Sequence, residues 1–292
     1  MTFDVLMREK QYPEHSLVHK FGFNITSERA QNFLGDKDHC HLDGIINFYF
    51  IMIRNRAHDN SRMPMVQFLY TEFYKALVNE EPTHHWTEHC DIDHCDYLFI
   101  PAKRENKWTL IAVDCVHKSI TSYSLCQLDH PDVPESLKEF LEHQHKWRRG
   151  KKLNLQEWEV DSHVCEVGSN YQHSLGDTAA YICVVADLLS RNLQPDFDRK
   201  KLDLAKKTII VEIAGVNLTR NGFVEKEHRK SEPAPWPLNW KGSNDGVVQS
   251  QRSRSNASLR SGSVASQKKR RRIEMFKKAV NRSRSRSSNF YL

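Results

Sequence analysis

Long apolar runs are missing from this 292-residue sequence, and nothing in it approaches the ~20 consecutive apolar residues that a membrane-spanning helix requires. The opening stretch, MTFDVLMREKQYPEHS, mixes acidic and basic side chains where a secretory signal needs an apolar core. Cysteine is sparse and odd in number, seven in all, which fits reduced thiols better than a disulfide framework. No internal repeat is visible, which argues against a solenoid or propeller. Together these absences point to a cytosolic or nuclear chain without membrane attachment. Acidic residues also vanish near one end. From Gln249 to Leu292 there are thirteen Lys/Arg against Glu274 alone, a net charge of +12. The whole chain is +6, so residues 1–248 sum to −6. A mildly acidic body carries a strongly basic tail.

Apolar residues are dense and regularly spaced up to about Leu218, then give way to Pro233, Pro235, Pro237, Gly242, Gly246 and a Ser/Arg-rich stretch. Too little apolar surface remains there to offset the entropy of ordering. The expected division is a folded domain over 1–220 and a disordered basic tail over 221–292. Within the first part, Thr26–Phe33 has helix-start chemistry, with Thr26 or Ser27 as N-cap. Asp43–Arg54 suits a well-buried helix, and Val66, Leu69, Phe73 and Leu77 sit at helical spacing in a helix expected over Val66–Leu77. Tyr97–Ile100, Trp108–Asp114 and Ile120–Leu125 are short β-forming runs read as strands. Pro134–Gln144 reads as an amphipathic helix, and Thr178–Ser190 as an apolar one capped by Asp177 or Thr178. Leu202–Ala214 gives a last helix, or a helix followed by a strand. The expectation is an α+β fold with a small sheet between helical layers.

Four segments in this order resemble the Ulp/SENP (sentrin/SUMO-specific) cysteine proteases. FNITSERAQNFL followed by LDGIINFYFIMI is similar to the family's entry helix and its W-L-N-D-x-I-I-N-F-Y segment. WTEHCDIDHCDYLFIPAKRENKWTLIAVD resembles the stretch that ends in H-W-x-L-x-V-x-D. LNLQEW resembles a run of the SUMO-directed members, and YQHSLGDTAAYIC aligns with Q-x-N-x-x-D-C-G-x-F-x-C. The matches run from about Phe23 to Leu218, some two-thirds of the chain. The resemblance implies a papain-like α+β fold; no cofactor is expected, and the chain is read as a monomer.

Carried across residue by residue, the family's catalytic positions are changed. Its His precedes the strand Trp; here Trp108 is kept and Lys107 precedes it. Its Asp falls on Ser124, and its Cys on Thr178, five residues before Cys183. Ala179 stands where the family has Gly. The oxyanion Gln is present as Gln172. The first-helix Trp that covers the substrate's Gly-Gly tail becomes Cys40, while the neighbouring acid, Asp43, is retained. Trp108, Cys40 and Asp43 are therefore the substrate-binding positions that the resemblance implies.

A thiol protease needs a thiolate, an imidazole base and a carboxylate holding that ring. Threonine offers a crowded and far less acidic alcohol. A lysine ammonium has no lone pair to accept a proton, and serine brings no charge to stabilise a cation. Because triad members act as a unit, joint loss of all three predicts an inactive protease. A Ser/Lys-like dyad of Thr178 and Lys107 is the sharp alternative; a helix cap is the bland reading of Thr178. Cys183, Cys165 and His173 lie close in sequence, with Cys183 read as a small core residue.

His84, His85, His89, Cys90, His94 and Cys95 are dense enough to suggest zinc but lack a matching distal pair, so no metal is assigned. Asp91, Asp93 and Asp96 read as a solvated acidic face. In the tail, Lys268, Lys269, Arg270, Arg271, Arg272, Lys277 and Lys278 read as a nuclear-import cluster for importin. The Arg/Ser tracts QRSRS and NRSRSRSS have the charge to bind RNA. The sequence thus predicts a nuclear SUMO-protease-like domain, inactive, that binds SUMO or a SUMO-modified partner. An active isopeptidase using Thr178 and Lys107, or a nucleic-acid-associated protein acting through its tail, are the alternatives.

Overall fold

The computed structural model describes residues 15–35, 41–83, 86, 94–126, 135–150, 153–165 and 173–218. All of them fall within one contact unit, Met1–Glu225. The boundary expected between 220 and 221, the tail and its import cluster lie outside the described residues.

Two antiparallel strands, β1 (Ser16–Lys20) and β2 (Phe23–Thr26), form a hairpin that the sequence reading left unassigned. Its two-residue turn, Phe21–Gly22, holds both residues at positive φ, the geometry whose twist matches paired strands. An aromatic at φ 56° is an unusual turn residue, which is why the pattern gave no warning. Helix α1 (Ser27–Leu34) follows directly. Thr26 caps it as expected, its hydroxyl accepting from the Arg29 amide at 3.3 Å.

Helix α2 runs over Asp43–Asp59, one turn longer than its apolar core suggested. Then comes a correction. The helix expected over Val66–Leu77 is a strand, β3 (Val66–Phe68), followed by helix α3 (Thr71–Val78). Val66 and Phe68 pair in parallel with Tyr97 and Phe99, and the Leu69 amide continues the ladder to the Phe99 carbonyl at 3.0 Å. Helix α3 starts only where Asn47 of α2 reaches it. The Asn47 carboxamide accepts from the Thr71 amide at 3.1 Å and donates to the Thr71 hydroxyl at 3.0 Å. A tertiary cap overrode a helical period shared by two different elements.

Strands β4 (Tyr97–Arg104), β5 (Lys107–Asp114), β6 (Ser119–Ser124) and β7 (Glu159–Val164) complete a five-stranded mixed sheet in the order β3-β4-β5-β6-β7. The inner three strands are antiparallel, and both outer pairings are parallel. Strand β7 was missed because its residues are nearly all exposed and present no apolar alternation.

Tyr97, Phe99, Trp108, Leu110 and Ala112 face one core with α2, α5 (Leu175–Leu189) and α6 (Leu202–Gly215). Leu98, Ile100, Ala102, Ile111, Val113 and Ile120 face a second core with α3 and α4 (Glu135–Arg149). Burial on both faces explains the continuous apolar runs in β4 and β5. The architecture is α+β, a small sheet between helical layers, as expected. The last element is a helix without a following strand, and every residue of α5 is buried.

Candidate active site

Three elements meet where the sequence placed its altered triad. Lys107 and Trp108 open β5, Ser124 closes β6, and Thr178 lies in the first turn of α5. Strand pairing sets Ser124 opposite Thr109, so Trp108 stands one position past the last β5–β6 pair. Its amide is left without a strand partner on that side. Thr178 supplies one: its Oγ1 accepts from the Trp108 amide at 3.1 Å and donates to the Leu175 carbonyl at 3.0 Å. The threonine is 0% exposed. Its single hydroxyl proton is committed to a backbone carbonyl, and its oxygen is enclosed.

The helix cap assigned to Asp177 or Thr178 lies further upstream. Ser174 is the N-cap, in a reciprocal box where the Asp177 amide donates to Ser174 Oγ and the Ser174 amide donates to Asp177 Oδ2, both at 3.1 Å. The S-x-x-D spacing was present in SLGD as a readable signal. Asp177 does a second thing that spacing could not reveal. Its Oδ1 accepts from Lys206 Nζ of α6 at 2.7 Å, with both side chains buried. Burial alone lowers the affinity of Lys206 for its proton, but the hydrogen bond and charge of Asp177, with Asp203 behind it, outweigh this and leave its pKa raised. One residue before the nucleophile position, the helix start is thus pinned to α6.

Gly176 completes the seat. A Cβ there would lie 2.3 Å from the Phe33 carbonyl oxygen, so only glycine lets the end of α1 pack on the first turn of α5.

The other sequence candidates fall as follows. Lys107 is half-buried at the strand start. Lys103, not Lys107, lies over the Trp108 ring, 5.7 Å from its centroid. Trp108 is 1% exposed and belongs to the core. Ser124 is buried, and its carbonyl accepts from the Cys165 amide at 2.9 Å. Asp43 is the first residue of α2, where the helix dipole favours a carboxylate. Cys40 and Gln172 lie outside the described residues.

Cys183 is fully enclosed, and burial with the charges of Asp187 and Glu212 pushes its thiol far up from the ordinary range. It forms no thiolate at neutral pH and stays a core residue. Asp96 is turned inward, accepting from the Met65 amide at 2.7 Å, which removes it from the solvated acidic face. Asp91 and Asp93 lie outside the described residues, as do His84, His85, His89 and Cys90. His94 accepts from Arg149 at 3.1 Å, and Cys95 has the Cys115 thiol 4.0 Å away. No group of three or more potential metal ligands occurs among the described residues.

Thr178 is an enclosed alcohol whose hydrogen-bond partners are two main-chain groups, and among the described residues no hydrogen bond joins it to an imidazole or a carboxylate.

Comparison with known proteins agrees with this geometry in fold. The model of the Ulp1 protease family, C-terminal catalytic domain, matches residues 41–216. A sentrin-specific protease of Caenorhabditis elegans is 24% identical over 208 residues, 70% of this chain and 29% of that protein. Sentrin-specific protease 2 of Rattus norvegicus is 26% identical over 207 residues, covering 69% and 34%. The chain thus matches about a third of the length of these relatives. Among solved structures, SUMO protease Ulp1 with its catalytic cysteine oxidised to a sulfenic acid superposes with a TM-score of 0.57 at 17% identity, over 73% of this chain and 94% of that one. The Ulp1 protease domain in complex with SMT3, the yeast ortholog of SUMO, gives 0.56 at 17% identity, over 73% and 93%. With the family model covering more than half of its length, this chain belongs to the Ulp1 protease family.

Proposed function

We propose that this domain is a pseudoprotease: a SUMO-protease-like fold that recognises SUMO or a SUMO-modified partner and does not cleave it. One observation carries the reading. At the position where the family keeps its thiol, the Thr178 hydroxyl is fully enclosed between the Trp108 amide and the Leu175 carbonyl. That is the bonding of a structural threonine, and it disfavours a dyad with Lys107. Relatives described as sentrin-specific proteases, and a neighbour solved in complex with SMT3, support SUMO as the ligand class. The basic cluster Lys268–Arg272 with Lys277 and Lys278 supports import through importin and a nuclear location. The Arg/Ser tracts support an accessory contact with RNA. We take the domain to act as a monomer.

Two assays on the full chain test this. Hydrolysis of a SUMO–fluorophore conjugate should not exceed that of Thr178→Ala; turnover that disappears in this variant overturns the pseudoprotease. Titration with labelled SUMO, other ubiquitin-like proteins and their diglycine-deleted forms should show saturable binding of SUMO, and its absence overturns the recognition half.

A further inference from the structure

Two cysteines that stand 20 residues apart in sequence are brought into contact by the sheet. Cys95 lies two residues ahead of β4, and Cys115 directly follows β5. The last pair of that ladder is Tyr97 with Asp114, and one more bond extends it, from the Cys115 amide to the Asp96 carbonyl at 2.9 Å. The two sulfurs then stand 4.0 Å apart. Backbone on both sides is pinned. Asp96 Oδ2 accepts from the Met65 amide at 2.7 Å, and the Asp96 amide returns a bond to the Met65 carbonyl at 2.7 Å. Asp114 Oδ1 accepts from the Val116 and His117 amides, both at 2.9 Å, and so fixes the turn after Cys115.

The two thiols differ in access. Cys95 is 6% exposed and belongs to the second core, while Cys115 packs against that core and stays half-buried. A buried cysteine alone is most simply a small apolar residue, as Cys183 is. Sulfurs in contact, one of them open to solvent, supply what a redox pair requires: a thiol that an oxidant reaches and a neighbour that resolves it. A disulfide needs the sulfurs about 2 Å closer, roughly 1 Å from each, and rotation about the Cα–Cβ bonds supplies such a shift. Two thiolates on one tetrahedral zinc would stand about 3.8 Å apart, near the 4.0 Å seen here. However, His117 Nδ1 is bonded to Asp114, and no group of three or more candidate ligands occurs among the described residues.

We propose that Cys95 and Cys115 form a reversible disulfide, a redox-modification site distinct from the altered catalytic position. It lies at the other end of β5 from Lys107, roughly 23 Å away at ~3.3 Å per residue, and depends on neither cleavage nor SUMO binding. The oxidant is hydrogen peroxide. The Cys115 thiolate attacks one peroxide oxygen, an S–O bond forms, the O–O bond breaks, and the released hydroxide takes up the thiol proton as water. Cys95 then attacks the sulfenic sulfur: the S–S bond forms, the S–O bond breaks, and hydroxide leaves with the Cys95 proton as a second water. Two thiols and one peroxide thus give one disulfide and two waters. In a reducing compartment the pair rests as thiols, and exchange with a dithiol reopens the bond.

The test uses the full chain, reduced, freed of reductant and treated with a few equivalents of hydrogen peroxide before alkylation. Two of the seven thiols should be lost and should return with dithiothreitol. Digestion with trypsin and an Asp-directed protease cuts between Cys90 and Cys95 and between Cys115 and Cys126. The linked product should therefore join residues 93–95 to residues 114–118. In Cys95→Ala the sulfenic acid on Cys115 has no resolving partner, and its capture by dimedone should rise roughly tenfold over wild type. Mapping on wild type decides the question even where that variant fails to fold. A bond from Cys115 to Cys90, to Cys126 or to a second chain overturns the proposal. So does oxidation of Cys115 through to a sulfinic acid in wild type without a link to Cys95. Stoichiometric zinc in the purified protein, released when Cys95 and Cys115 are alkylated, overturns it in favour of a metal site.

Discussion

Thr178→Val removes one hydroxyl while keeping the branch at Cβ. In the native protein that hydroxyl accepts from the Trp108 amide and donates to the Leu175 carbonyl inside a fully enclosed site. Valine leaves the Trp108 N–H facing a methyl group where water does not reach. A stranded buried donor costs about 1–3 kcal/mol, and the added buried methyl returns about 0.8 kcal/mol. The expected net loss is therefore between about 0.2 and about 2 kcal/mol, centred near ~1 kcal/mol. Equilibrium unfolding in urea reads it as a lower midpoint at unchanged slope, since the surface exposed on unfolding hardly differs. At a net loss near ~1 kcal/mol the accompanying fall in Tm is about 2–4 °C for a domain of this size. Thr178→Ser, which keeps the hydroxyl, should hold the Trp108 amide resonance near its native position, and valine should move it. The reasoning is refuted if the valine variant is as stable as wild type, because the hydroxyl then carries no structural role. Its enclosure would have to be explained by a function instead.

Other outcomes follow from the same region. Lys206→Met strands the buried Asp177 carboxylate and should cost about 3–5 kcal/mol, with Asp177→Asn in the same chain recovering part of it; equal stability of the single and double variants refutes the pairing. Because the Lys206 pKa is raised by folding, its contribution is full below the unfolded lysine pKa of about 10.4 and fades as pH climbs through the folded value. Alkaline unfolding should therefore be steeper in wild type than in the double variant. Gly176→Ala drives a methyl to 2.3 Å from the Phe33 carbonyl and should destabilise by about 1–3 kcal/mol or more, visible as a lower urea midpoint; a tolerated alanine means α1 and α5 have room to part. Thr178→Cys with Lys107→His and Ser124→Asp should gain labelling by a SUMO-vinyl-type electrophile, and no labelling in a folded, SUMO-binding variant shows that the three positions do not converge. Alanine at Lys268–Arg272 should shift a tagged protein out of the nucleus; an unchanged signal assigns the address to another segment.

What the sequence disclosed divides along physical lines. Helix α2 and strands β4 and β5 were legible because burial on both sides leaves long apolar runs. Strand β7 was not, since its backbone pairs with β6 while its side chains face water. Val66–Leu77 misled because a tertiary hydrogen bond from Asn47, far away in sequence, decides where α3 begins. At the site, the substituted positions could be counted off by residue type and spacing, and chemistry followed directly. The bond from Trp108 to Thr178 could not, because it depends on β6 stopping one residue short of pairing with Trp108. Likewise the S-x-x-D box announces a helix start, yet nothing in it names Lys206 as the partner of Asp177.

The contact between Gly176 and the Phe33 carbonyl bears on how such a chain changes over time. Two kinds of constraint act within three consecutive residues. On the reading proposed above, position 178 answers no longer to chemistry but to the Trp108 amide and the Leu175 carbonyl, which favour a hydroxyl there. Position 176 answers to the approach of a main-chain oxygen, and Asp177 to a buried ammonium, neither of which depends on a substrate. On that reading, drift after loss of activity is uneven: positions 178 and 179 depart from the family pattern, while Asp177, held by Lys206, keeps to it. Of the pattern Q-x-N-x-x-D-C-G-x-F-x-C, Gln172, Asp177 and Cys183 survive here, and at Asp177 and Cys183 survival measures packing.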